Sequence, residues 1–406
     1  MPSVCLYLHT HQPWRLRKYS VFDIGKEKHY FDDEQNLKYL NRIVRKSYIP
    51  TNEILLNLIK ETNGRFKVSF SITGVVLEQF EKYAPEVIES FQRLVDTGSV
   101  EIVSETYYHS LAYLFSEEEF KRQIELHYKK VKGIFGCKPK VFRNTELMYN
   151  NNIAKIVESM GYEAIMAEGV DRILDWRSPN FVYRPKGAKR IKLLLKNYRL
   201  SDDIAFRFSN RDWSGWPLSA EKFAGWVSEV NGNGECVNLF MDYETFGEHQ
   251  WQETGIFEFL KIMPWRILDN PDNNFMTPSE VARAYESRGE LDYERITSWA
   301  DTERDLSAWT GNKMQQAAIH ELYSLEKAVI ASCNQELISI WRKLQISDHF
   351  YYMCTKWFSD GDVHKYFNPY ENPYDAFINF MNIIKDLKLR LKIVAPKLEP
   401  VLEEIV

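Results

Sequence analysis

The chain has 406 residues, of which 44% are hydrophobic and 27% charged, a globular composition that excludes a predominantly disordered chain. Its net charge of −5 and pI near 6.1 give no electrostatic footprint for a polyanion, so nucleic acid is not an expected partner. No apolar run is long enough for a membrane-spanning helix, and the length suits one large core with a helical appendage.

The start, Met1-Pro2-Ser3-Val4-Cys5-Leu6-Tyr7, lacks the basic and apolar regions of a secretory signal, and the chain reads as cytoplasmic. From Val4 to about Glu244, short β-rich runs alternate with longer amphipathic stretches, the pattern of βα units around a parallel sheet. Strands are predicted at Val4–His9, Phe66–Ile72, Val100–Ser104, Lys140–Asn144, Ala164–Ala167, Ile191–Lys196 and Val237–Asp242. Helices are predicted at Glu34–Arg45, Asn52–Glu61, Pro85–Thr97, Ser116–Phe135 and Ile153–Met160, punctuated by Pro85, Gly98, Gly136 and Gly161. About seven strands in this rhythm favour a barrel, and a doubly wound open sheet would give a similar linear pattern.

The segment Trp176–Pro217 clusters Pro, Gly, Asp and Trp around a basic strand, and reads equally as a loop region bordering a site or as a surface insertion. Beyond Asp242 the β-rich runs cease. From Asp301 to Val406 the chain reads as long helices, with Ile319, Leu322, Leu325 and Val329 in heptad-like spacing. The domains expected are a catalytic barrel over 1–290 and a helical bundle over 291–406. Five scattered cysteines without Cys-x-x-Cys spacing read as buried free thiols.

In a barrel, reactive groups collect where strands end. The first strand ends in His9-Thr10-His11-Gln12-Pro13-Trp14, with both imidazoles on one side of an extended segment. The third carries Glu101 among apolar residues, costly unless paired, and continues to Glu105-Thr106-Tyr107-Tyr108-His109. The fourth stops at Phe142-Arg143-Asn144-Thr145-Glu146, and the last at Phe240-Met241-Asp242-Tyr243-Glu244-Thr245-Phe246-Gly247, where Asp242 and Glu244 are expected to share a face.

A retaining glycosidase needs two carboxyl groups about 5 to 5.5 Å apart, one to attack the anomeric carbon and one to protonate the leaving oxygen. Glu146 and Asp242 end different strands, so a barrel mouth can bring them together. Taken singly, each also fits a helix cap or an arginine partner. His9 and His11 read first as hydrogen-bonded imidazoles near the core, and a His-x-His pair on a first barrel strand also occurs in metallohydrolases, where Asp242 or His109 would complete the site. In the run Ser298–Asn312, Asp301 fits a helix N-cap and Trp309 fits either the core or the wall of a sugar cleft.

Taken in order, the His9 to Pro13 run, the Glu101 strand with its continuation to His109, Phe142 to Glu146, Met241 to Gly247 and the Asp301–Asn312 run resemble the five signature regions of glycoside hydrolase family 57. The resemblance implies an α/β fold, an incomplete (β/α)7 barrel followed by a helical bundle, and a retaining mechanism on α-1,4-glucans. It places the nucleophile on Glu146 and the acid/base on Asp242, whose pKa the nearby carboxylates would raise. His11, Glu101, Glu244 and Trp309 then look like substrate-binding or supporting residues, together with His9, Trp14, His109 and Asp301. No cofactor or metal is implied, and the expected partner is an α-glucan or maltooligosaccharide. The fifth region is most similar to that of the family's α-amylase group. A 4-α-glucanotransferase or branching-type transglycosylase, a non-catalytic glucan-binding protein and a metal-dependent deacetylase-like hydrolase remain as alternatives.

Overall fold

The computed structural model describes residues 2–356 and 368–394. Alternation along the first strand, β1 (Ser3–Thr10), divides the interior in two. Val4, Leu6 and Leu8 face the helices, whereas Cys5 and Tyr7 point into the barrel with Val103, Leu147, Met166, Leu194 and Phe240. All eight residues of β1 are buried, as befits a parallel strand covered on both faces.

The remaining barrel strands are β2 (Val68–Ile72), β3 (Val100–Ile102), β4 (Val141–Arg143), β5 (Ala164–Glu168), β6 (Lys192–Lys196) and β7 (Cys236–Asp242). Each lies on a predicted segment, and every ladder is parallel. Pairing runs β7-β1-β2-β3, a parallel bridge between Ser104 and Phe142 carries it on to β4, and β5 and β6 follow.

Between β6 and β7 the ladder fails. The Asn197 N–H reaches the Asn238 carbonyl at 2.9 Å, and the Asn238 side-chain amide donates to the Leu195 carbonyl at 2.9 Å. The helix Tyr198–Ala205 occupies the gap, and its Ser201 hydroxyl accepts the Phe240 N–H at 3.2 Å. Side chains thus satisfy strand groups that an eighth strand would otherwise pair. This is an incomplete (β/α)7 barrel.

The predicted helices Glu34–Arg45 and Asn52–Glu61 join. Asp33–Ile43 passes through a π turn at Val44–Tyr48 into Ile49–Glu61. Contrary to the expected end of β structure at Asp242, Asn274–Phe275 pairs with β1 and Glu290–Leu291 pairs with Arg184–Pro185.

The chain forms two compact units. The barrel unit takes Met1–Gln12, Leu37–Tyr107 and Lys121–Asp305, and the second takes Pro13–Asn36, Tyr108–Phe120 and Leu306–Val406. Helices of the second unit are shorter than the spacing suggested. Lys313–Ser324 stops at Leu325 before Glu326–Ala331 begins, although Ile319, Leu322, Leu325 and Val329 are all buried as expected. A longer helix, Pro373–Val394, carries Asn379 and Asp386, which bind Tyr19 N–H and Gly25 N–H. All five cysteines are free, with Cys5, Cys236 and Cys354 buried, Cys137 half-buried and Cys333 exposed. Among the described residues no helix is long and apolar enough to cross a membrane.

The seam yields a test. Asn238→Ala leaves the buried Leu195 carbonyl without its amide donor, and should destabilise the protein by about 1 to 3 kcal/mol. Denaturant unfolding measures this, and an unchanged midpoint would show that the seam does not depend on Asn238.

Candidate active site

The carboxyl ends of the barrel strands carry a ring of charge. His9 comes from β1, Arg143 ends β4, Glu168 ends β5, Lys196 ends β6 and Asp242 ends β7. Parallel register sets His9 beside Asp242 on one side and beside Ser71 on the other.

The β1 side chains are tied to hydroxyls of β2 and its extension. Tyr7 Oη lies 2.5 Å from Ser71 Oγ, His9 Nδ1 lies 2.9 Å from the same Oγ, and His11 Nδ1 lies 2.9 Å from Thr73 Oγ1. As the two-residue spacing predicts, the His9 and His11 rings stack, 6.1 Å apart and 13° from parallel. His9 also stands 3.6 Å from Glu105, which in turn faces Arg143 at 3.8 Å. Glu105 and Arg143 are wholly buried, so each charge depends on the other for compensation. His127 holds this segment in place. Its Nδ1 accepts the Glu105 N–H at 3.3 Å while Nε2 donates to the Ile72 carbonyl at 2.9 Å, and burial pushes its pKa down.

Glu146 follows β4 in a tight turn, Thr145–Leu147, where both Glu146 (φ 54°) and Leu147 (φ 50°) adopt left-handed backbone. For side chains with a Cβ this conformation costs on the order of 1 kcal/mol per residue, and such strain concentrates at functional sites. The strained turn is held by Trp299, which comes from a segment 153 residues further along. Trp299 N–H donates to the Glu146 carbonyl at 3.1 Å, and its indole Nε1 donates to Glu146 Oε2 at 2.7 Å. The indole lies 4.9 Å from the Arg143 guanidinium and 5.3 Å from Lys196 Nζ, and meets the His9 ring edge-on at 6.4 Å.

The Trp299 segment is itself anchored. Tyr149 and Thr297 exchange two 2.9 Å backbone bonds, and Arg304 donates to the Trp299 carbonyl. Arg304 also joins Lys196, Glu168 and Asp202 in a cluster of two cations and two anions, with separations of 2.9 to 3.7 Å. Burial nevertheless raises the Glu168 pKa, with Lys196 and Arg304 opposing the shift.

Beyond Asp242 the chain turns through Tyr243–Thr245, so Glu244 does not continue the strand face as expected. Its carboxyl is buried, accepts from Tyr48 Oη and lies 3.3 Å from Gln12 Nε2. The π turn brings Tyr48 inward, and Gly247 packs on the same turn so closely that a Cβ would sit 1.9 Å from the Lys46 carbonyl oxygen. Burial first, and then Asp242, push the Glu244 pKa up to about 8. Glu244 is therefore predominantly neutral at pH 7.

Other expected residues are engaged in contacts within the protein. The Glu101 carboxylate is committed to the N-terminus of the helix Pro278–Ala284, accepting the Ser279 N–H at 2.8 Å, and burial raises its pKa. That helix follows Asn274–Phe275, which pairs with the first residues of β1, at the amino end of the barrel. Glu101 is thus a structural cap, and the acid facing His9 and Arg143 is Glu105. Trp14 and Trp309 fill the second unit and offer no open ring. Trp14, 5% exposed, lies beneath Lys343 at 4.6 Å, and Trp309, 1% exposed, packs on Tyr351. His109, also of the second unit, is buried with φ 47°, and its carbonyl accepts the Ser347 N–H at 2.9 Å. The N-cap of the helix Ser307–Thr310 is Leu306 rather than Asp301. Asp301 sits with φ 53° in the turn after Trp299.

The structure therefore groups His9, His11, Glu146, Asp242 and Glu244 in the barrel unit. It adds Glu105, Arg143, Glu168, Lys196 and Trp299, to which the sequence reading gave no site role. Glu105, Arg143, Glu168, Lys196 and Glu244 are buried, whereas Glu146, Asp242 and His11 remain half-exposed. At the strand ends of the motifs, Glu146 and Asp242 are the carboxylates within reach of an incoming molecule.

Comparison with known proteins matches residues 5–297 to the model of glycosyl hydrolase family 57. The chain is 46% identical over 404 residues to the protein named "Putative alpha-amylase" of Methanocaldococcus jannaschii, covering 96% of this chain and 85% of that protein. A family-57 branching enzyme of Thermococcus kodakaraensis superposes with a TM-score of 0.68 at 16% identity, over 98% of this chain and 92% of the other. The 4-α-glucanotransferase of Thermococcus litoralis gives a TM-score of 0.64 at 19% identity over 86% of this chain, which spans 56% of that protein. Both structures share the fold.

Glu244 supplies a pH test. Its carboxyl binds its proton more tightly folded than unfolded, so stability is highest below about pH 4.5 and declines as pH rises to about 8. At about 1.4 kcal/mol per unit, the loss is on the order of several kcal/mol. Glu244→Gln, which cannot ionise, should melt higher than wild type near pH 8.5 and about equally near pH 4.5. A difference in melting temperature that is the same at both pH values would refute a titrating Glu244.

Proposed function

Because the chain belongs to glycosyl hydrolase family 57 and is a glycoside hydrolase, we propose that it cleaves α-1,4-glucans by a retaining, α-amylase-type double displacement. The observation that carries this reading is the pair of half-exposed carboxyl groups, Glu146 and Asp242, on strands that end beside the same His9–Trp299 contact.

In this mechanism the Glu146 carboxylate attacks the anomeric carbon while Asp242 gives its proton to the departing glycosidic oxygen. A covalent glucosyl–Glu146 ester forms and the C–O bond to the leaving chain breaks. Asp242, now ionised, takes a proton from water, whose oxygen displaces Glu146 and restores both groups. The Trp299 N–H holds one Glu146 oxygen and so turns the other toward the sugar. Buried Arg143 and Lys196, 4.9 and 5.3 Å from the Trp299 ring, place cationic groups near the attacking carboxylate. Neutral Glu244 places no second full negative charge beside Asp242 at pH 7.

Incubation with a maltooligosaccharide of one defined length, followed by chromatography, tests the assignment. Wild type should yield shorter chains, whereas Glu146→Gln and Asp242→Asn should each lose about a hundredfold to ten-thousandfold in turnover. Longer products beside the shorter ones would replace hydrolysis with transglycosylation, and full activity in either variant would overturn the catalytic pair. Trp299→Phe removes an orienting bond to a charged group without removing a sugar contact. It should lower kcat by about tenfold with little change in KM, and an effect on KM alone would contradict its positioning role.

A further inference from the structure

Apart from Lys196 and Asp202, the segment Trp176–Pro217 takes no part in the catalytic cluster, and it forms most of a groove of about 890 Å³ on the barrel unit. The volume lies toward the upper end of the roughly 300 to 1,000 Å³ typical of ligand sites, which is room for several sugar rings. One side begins at Tyr198, two residues past Lys196, where the Arg304 guanidinium lies 5.3 Å from the ring. The same Arg304 donates to the Trp299 carbonyl, so this end of the groove adjoins the catalytic cluster.

The opposite side is formed by Trp213 and Trp226, half-buried rings set 6.1 Å apart and 67° from parallel. Trp213 lies against its own turn because residue 215 is glycine, where a Cβ would approach the indole to 2.5 Å. Lys222 secures the turn by donating to the Gly215 carbonyl at 2.8 Å. Asn180, Asn233 and Ser214 add amides and a hydroxyl to the lining.

Of the groove's cations, Arg207 binds Asp203 at 2.5 Å, Arg199 faces Asp171 at 3.8 Å and Lys222 donates to the Gly215 carbonyl, while Glu229 adds an acid to the lining. Three basic and two acidic side chains nearly balance, which leaves little net charge to select an anion. Aromatic faces, neutral amides and nearly balanced charge suit an uncharged polyhydroxyl chain, whose C–H faces stack on rings while its hydroxyls meet planar polar groups.

We propose that this groove binds a stretch of the α-glucan chain remote from the bond being cleaved, with Trp213 and Trp226 as its stacking platform. The inference rests on the α-glucan reading above. It predicts a preference for long chains that is set at the flank of the barrel rather than by the catalytic carboxylates.

The test uses the full chain and two variants, Trp213→Ala, which removes a platform, and Ser214→Trp, which fills the groove from an exposed position. For each, kcat/KM is measured on maltotriose and on maltoheptaose, and amylose retention by affinity electrophoresis is measured in a Glu146→Gln background. Loss of about 1.4 kcal/mol of stacking corresponds to tenfold. Both variants should therefore lose about tenfold on maltoheptaose and migrate faster through amylose, with less than about a twofold change on maltotriose. Equal losses on both sugars, or unchanged retention and unchanged maltoheptaose activity, would overturn the groove. If wild type neither cleaves maltooligosaccharides nor is retarded by amylose, it is the α-glucan reading that fails.

Discussion

One side chain, Trp299, organises the candidate catalytic centre. Its N–H fixes a Glu146 oxygen, its backbone bonds the strained Glu146 residue, and its ring stands among Arg143, Lys196 and His9. An indole can do this because it offers a single donor at one edge and a π surface that accepts cations without neutralising them. A carboxylate in its place would pair with Arg143 or Lys196 and repel Glu146, and an aliphatic residue would leave the buried cations without that attraction. The left-handed backbone at Glu146 and Leu147 is sustained by the same contacts, so the strain and its restraint arise at one point.

Buried charge near this point is costly and, among the described residues, compensated in two groups. Arg143 answers Glu105, and Lys196 with Arg304 answers Glu168 with Asp202. Apolar residues would fill either volume with no desolvation penalty, so stability alone does not explain why charges occupy them. Fixed dipoles and charges aimed at a reacting carboxylate need no reorganisation as charge moves during reaction, and that benefit is available only where water is excluded.

Much of the barrel was legible from residue order. Seven β-rich runs fall on seven strands because parallel strands packed between the barrel interior and the helices are rich in apolar and β-branched residues. Glu146, Asp242, His9 and His11 were legible for a related reason, since polar residues at the end of an apolar run are conspicuous. Lys196 and Glu168 end their strands in the same way, and reading every strand terminus rather than four of them would have found both. Trp299 lies within the aromatic and acidic run Ser298–Asn312, but its role was not legible there, because its partner Glu146 lies 153 residues away and the Tyr149–Thr297 pairing helps bring the segments together. Glu101 misled for a physical reason. A lone acid in an apolar strand must find a partner, but periodicity does not say whether that partner is a ligand or the N-terminus of a helix. Trp14 and Trp309 misled similarly, as aromatic side chains near a motif serve a helical core as readily as a sugar.

The missing eighth strand links architecture to chemistry. In a closed barrel β6 and β7 would be zipped together along their length, whereas here Asn238 and Ser201 satisfy single strand groups and the helix Tyr198–Ala205 is drawn into the wall. That displacement places Asp202 next to Lys196 and Tyr198 beside Arg304. The helix therefore contributes one anion to the charge cluster behind Trp299 and, on its outer side, one wall of the flank groove. Closing the seam with a strand would remove Asp202 from the cluster and leave Lys196 and Arg304 sharing Glu168 alone. The opening in the barrel thus supplies charge balance at the site as well as a surface beside it.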